Sequence, residues 1–159
     1  MSLLATYLND HLAGATAGRE LARRIASNNR GSDLYGPPSQ QLAEEVDEDR
    51  ETLLEIMRAL GVGVDHVKVA GGWTVEKLGR LKPNGRLLSY SPLSRLVELE
   101  AMTLGVRGKL AMWDALLEVV ADDERLAGVD LGRLAERAAA QLETLEPLRL
   151  AAAGEALED

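Results

Sequence analysis

The stretch VGVDHVKVAGGWTVEKLGRLKPNGRLLSYSP, residues Val62 to Pro92, decides how this chain folds. It lies between two regions of strong helical patterning and shares the pattern of neither. Asp65 is placed to cap a short helix reaching to about Lys82, weakened by Gly71-Gly72 and broken by Pro83-Asn84-Gly85. Asn-Gly suits a hairpin turn, but Arg86 to Tyr90 is short and has no partner strand, so no sheet is expected. Ser91-Pro92 reads as an N-cap followed by proline in the first helical position. A connection of this length can run from one end of a helical stack to the other.

On its N-terminal side, apolar periodicity predicts a helix from about Leu3 to Asn28, with Leu4, Leu8, His11, Ala15, Gly18, Ala22 and Ile25 on one face. Gly14 and Gly18 keep that helix slim and predict close packing against a neighbour or a second copy of the chain. Asn29 to Pro38 reads as a loop, and Ser39 is expected to cap a second helix. That helix turns Leu42, Val46, Asp49, Leu53, Ile56, Met57 and Leu60 inward and stops at Gly61.

On the C-terminal side, Leu93 to Ala121 carries Leu96, Leu99, Thr103, Val106, Leu110, Trp113, Leu117 and Val120 at alternating steps of three and four. Asp122-Asp123 and Gly128 mark a loop. Asp130 caps a last helix that buries Leu131, Leu134, Ala135, Ala138, Leu142, Leu145 and Ala152, with a kink expected at Pro147. Two helical hairpins joined by one long crossover give an all-α, ferritin-like four-helix bundle, with a short extra helix in the crossover and one domain over residues 1–159.

Composition agrees and removes several functions. The chain has 159 residues, of which 29 are leucine and 22 alanine, with no phenylalanine and five aromatic residues in all. Such a mixture favours helix over sheet. With no cysteine there are no disulfides, thiolate nucleophiles or cysteine-ligated metals, and a reducing cytoplasm is the expected compartment. A net charge of -8 with scattered basic residues opposes nucleic-acid binding. No apolar run is long enough for a membrane span, and with Arg19 as the first basic residue no signal peptide is expected. Phosphate loops, nucleophile elbows and H-E-x-x-H are missing.

The segments Tyr7-Leu-Asn-Asp-His-Leu-Ala-Gly14, Asp49-Arg-Glu-Thr-Leu53 and Gly79 to Glu100, with Ser91-Pro-Leu-Ser-Arg95, resemble uncharacterised bacterial proteins of the ferritin-like superfamily. The resemblance implies the fold. In the metal-binding branch it would also imply a di-iron or di-manganese centre with oxidase or iron-storage chemistry. That centre needs a Glu from each of two helices and Glu-x-x-His from each of the other two. Here Leu8 stands three residues before His11, Gly63 three before His66, and no Glu-x-x-His occurs. No metal and no cofactor are therefore expected.

Six polar residues fall on faces read as apolar: His11, Asp49, Glu100, Arg107, Asp114 and Arg149. Heights along the helices, at about 1.5 Å per residue, bring Asp49, Glu100, Arg107 and Arg149 toward one level. The expectation is a buried polar layer in which Asp49 and Glu100 pair with Arg107 and Arg149, in the place where relatives hold metal. The functional expectation is a non-enzymatic binding or interaction module of unknown ligand; the alternative is a ferritin-like metalloprotein with degenerate ligands.

Overall fold

In a computed structural model that describes residues 2–71, 90–120 and 122–158, four long helices account for most of the chain. They are α1 (Leu3–Asn28), α2 (Gly36–Ala59), α3 (Pro92–Val120) and α4 (Leu131–Leu157), with one 3-10 turn at Glu124–Leu126. Residues 66–71 are also helical, and no strand occurs among the described residues. None of the described helices is long and apolar enough to cross a membrane. The expectations on the helix end near Lys82, the Pro83-Asn84-Gly85 break and the stretch 86–89 lie outside the described residues.

Local chemistry sets most helix ends where the sequence places them. Ser2 Oγ accepts from the Ala5 N–H at 3.1 Å, Ser91 Oγ from Ser94 at 3.1 Å, and Asp130 Oδ1 from Arg133 at 2.9 Å. Each satisfies a donor that has no partner inside its helix. Asp65 Oδ1 likewise accepts from the N–H groups of Val67 and Lys68. Gly61, at φ +70°, closes α2 in a Schellman arrangement: its N–H donates to Arg58 O at 3.1 Å, and that of Val62 to Met57 O at 2.8 Å.

The start of α2 differs from expectation. The helix opens at Gly36, so Pro37 and Pro38 occupy its first turn, where a missing N–H costs nothing. Ser39 is buried inside the helix rather than capping it, and its N–H donates to Tyr35 O at 3.1 Å. The preceding turn is held by Ser32, whose Oγ accepts from the Tyr35 N–H at 3.1 Å. Gly36 is required by a close approach, since a Cβ there would stand 3.0 Å from the Asn29 carbonyl oxygen. α4 passes through Pro147 and continues to Leu157.

Ion pairs and side-chain hydrogen bonds fix the directions of the helices. α1 packs on α2 through Arg23–Asp47 at 2.9 Å and Arg50–Thr16 at 3.1 Å. It meets α3 through Arg24–Glu98 at 2.7 Å and Arg95–Asn29 at 2.7 Å. α3 lies along α4 from Arg95–Glu155 at 2.6 Å to Lys109–Gln141 at 2.5 Å, the most extensive of the helix seams. α2 touches α4 more thinly, through Gln141–Glu45 and Arg137–Glu48, both 2.8 Å. Each of these neighbours runs antiparallel, because residue numbers rise on one helix as they fall on the other. α2 and α3 are therefore parallel, and Ala59 and Pro92 stand at opposite ends of the molecule, as the long connection predicts.

The core between the helices is built from Leu8, Leu12, Ile25, Leu53, Ile56, Met57, Leu99, Trp113, Leu116 and Leu145, all almost fully buried. Burying each such aliphatic side chain favours folding by about 1.5–3 kcal/mol over leaving it exposed. The inward stripe of α1 is rotated from the expected one: Leu12 and Thr16 are buried, while His11 and Gly18 are only half-buried. Apolar residues surround α3, and Val97, Leu104 and Val119 remain on its outer side.

Candidate binding cleft

The expected polar layer forms around one of its members. Asp49, in the middle of α2, is 2% exposed. One of its carboxylate oxygens accepts from Lys109 Nζ of α3, the other from Arg137 Nη2 of α4. Gln141 completes the cluster: its Oε1 accepts from Lys109 at 2.5 Å, and its Nε2 donates to Glu45 at 2.8 Å and to Asp49 at 3.4 Å. Arg137 reaches outward as well, to Glu48 at 2.8 Å. Three helices are tied together at one level.

The partners differ from those expected. Glu100, Arg107 and Asp114 are exposed. Arg149 pairs with Glu146, one turn away, at 2.8 Å and meets Glu100 only at 4.0 Å on the surface. The physical reason is rotation. Glu100, Arg107 and Asp114 each follow a buried residue (Leu99, Val106, Trp113) by one position. One position turns a helical side chain by about 100°, from core to water.

Lys109 is the residue that sequence reasoning missed, though its position was readable. It stands three residues after Val106 and four before Trp113, on the buried line of α3. Gln141 is likewise three after Ala138 and four before Leu145. Arg137 carries no such signal; it borders the stripe at Ala138 and reaches in through its length.

Burial and charge act against each other on these cations. Burial pulls the Lys109 ammonium below the usual lysine range, and contact with Asp49 opposes the pull. For Arg137 burial also lowers the value, but hydrogen bonding to Asp49 and Glu48 outweighs it and the guanidinium is held above its ordinary range.

Beside this cluster lies a cleft of about 260 Å³ between α1, α2 and α3. Its inner wall is formed by Leu53, Met102, Val106, Met112 and Trp113, with Asp49 and Lys109 at one side. Gly14 and Gly18 of α1 and Gly105 and Gly108 of α3 line it too. Gly14, Gly105 and Gly108 are exposed and Gly18 is half-buried. A Cβ added at any of the four meets no described atom within 4 Å. The close packing expected at Gly14 and Gly18 is therefore absent among the described residues, and the glycines leave space instead.

His11 also lines the cleft, its ring edge-on to Tyr7 at 4.5 Å. Burial lowers its pKa below the ordinary histidine value, against the pull of Asp10. His66 is exposed. Trp113 is fully buried, and its indole N–H has no acceptor among the described residues.

These residues do not fit a metal ion. Among the described residues, no three His, Cys, Asp or Glu side chains converge to hold one. Both oxygens of Asp49 already accept from protein cations, so an incoming cation would have to displace an ammonium or a guanidinium. Neither a protein-family model, nor a curated protein, nor a solved structure matches the chain.

Proposed function

We propose that this protein is a ferritin-like four-helix bundle that acts as a non-enzymatic binding module, with its ligand in the cleft between α1, α2 and α3. Support for the fold name is the parallel run of α2 and α3, which requires the end-to-end crossover of that topology. The observation that carries the function is the pairing of a closed ion cluster with open space. Asp49, Lys109, Arg137 and Gln141 satisfy one another, while four glycines beside them leave room that no described side chain fills. A helix interior loses about 1 kcal/mol for each glycine in place of alanine, so the opening is bought at a loss of stability. The absence of cysteine agrees with a place in the cytoplasm.

The alternative, a metalloprotein with degenerate ligands, asks Asp49 to give up two cations. Elemental analysis of protein purified without chelator and dialysed separates the two. The expected result is no stoichiometric iron, manganese or zinc. One tightly held metal ion per chain would overturn the binding-module reading, and His11 and Asp49 would be the first residues to substitute.

A further inference from the structure

We propose that the outer face of α3 docks a second copy of the chain, with the two α3 helices antiparallel about a two-fold axis at Leu104. The proposal does not depend on what the cleft holds.

A turn of about 100° per residue puts Leu93, Val97, Leu104 and Ala111 within about 20° of one line. That line lies opposite the buried one through Val106 and Trp113. All four residues are exposed, and Leu104 in the middle is 73% exposed. A lone leucine in water is ordinary. A line of apolar side chains over about five turns is the pattern of a seam between helices.

Charge selects the occupant and its direction. Glu100 and Arg107 stand on the same flank of the line, one before Leu104 and one after it. In an antiparallel pair, a two-fold axis at Leu104 keeps that flank on one side and exchanges the positions before and after Leu104. Glu100 then comes within about 1.5 Å, along the helix axis, of the level of Arg107 in the second copy. The contact is made twice, as a self-complementary interface requires. A parallel pair would instead set Glu100 level with Glu100 and Arg107 level with Arg107. Both groups are available for a partner. Arg107 makes no ion pair or hydrogen bond among the described residues and acts on Glu146 only through its field. Glu100 meets Arg149 only at 4.0 Å, and that guanidinium is held by Glu146 at 2.8 Å.

Shape agrees with charge. In the same register Val97 meets Ala111 of the second copy and Leu93 meets Ala115, large against small. On the other flank Gly108 comes beside Ala101, so nothing bulky holds the helices apart. One helix pair makes an interface at the low end of specific ones, about 1,200 Å², and the dimer is therefore reversible and concentration-dependent.

The test is sedimentation equilibrium of the full chain over a concentration series, with circular dichroism to follow the helices. A monomer–dimer equilibrium is expected for the parent protein. Leu104→Glu, Arg107→Glu and Glu100→Arg should each weaken it by about tenfold or more, since each buries a charge or sets like charges together. The helical spectrum should stay unchanged, because all three side chains are exposed. The double variant Glu100→Arg/Arg107→Glu, which exchanges the two charges, should recover most of the parent's association. A parent that stays monomeric at every concentration would overturn the proposal. So would a dimer indifferent to Leu104→Glu, or a double variant that associates no better than the single ones.

Discussion

Asp49 shows how far a single residue is readable. An acidic side chain on the inward line of α2, between Val46 and Leu53, must be buried and must find a cation. Its partners were less accessible, because a lysine on an apolar stripe is easily taken for one whose head reaches water. The consequence is measurable. Asp49→Ala leaves the buried Lys109 ammonium with only the neutral Gln141 as a hydrogen-bond acceptor, and should cost about 3–5 kcal/mol in urea unfolding. Asp47→Ala, which removes a partly exposed pair with Arg23, should cost about 1 kcal/mol or less. Comparable small losses would place Asp49 in water.

His11 gives a second residue-level expectation, and its sign follows from burial. Because the folded pKa lies below the unfolded one, the unfolded chain binds more protons as pH falls below about 6.5, the unperturbed histidine value. Stability attributable to His11 is complete above that value and is lost on acidification. Urea midpoints at pH 7.5 and 5.5 should therefore converge more in His11→Gln than in the parent protein. An unchanged acid loss in the variant would show that His11 is solvated.

At the scale of the element, capping chemistry was the most legible part of the sequence. Ser91-Pro92, Asp130 and Gly61 each act through bonds within a few residues, so neighbours in sequence suffice to read them. The start of α2 was misread for the opposite reason. Ser39 has the residue type of a cap, but Gly36-Pro37-Pro38 is folded onto the Asn29 carbonyl, a contact set by the preceding turn. Rotation of the α1 stripe was hidden similarly, since Leu8 starts two equally periodic runs, one through His11 and Ala15 and one through Leu12 and Thr16. The positive φ at Gly61 carries its own prediction: Gly61→Ala should lower stability by about 1–2 kcal/mol. A neutral result in thermal unfolding would mean that the turn relaxes.

For the whole molecule, the length of the connection between α2 and α3 carried the topology, because only helices running in parallel need so long a link. What the sequence left hidden was the meaning of its helical glycines. Slim faces predict intimate packing, whereas the glycines of α1 and α3 line a cleft in which an added Cβ meets no described atom within 4 Å. The distinction depends on the separation of two whole helices, which no local pattern records. A binding cleft exists only if that space is open. The direct measurement is urea unfolding of the double variant Gly14→Ala/Gly105→Ala. If the cleft is open, neither Cβ meets anything and the gain in helix propensity, about 1 kcal/mol at each site, raises stability with no change in the denaturant slope. A loss of stability would show that the space is already filled and that no cleft exists there.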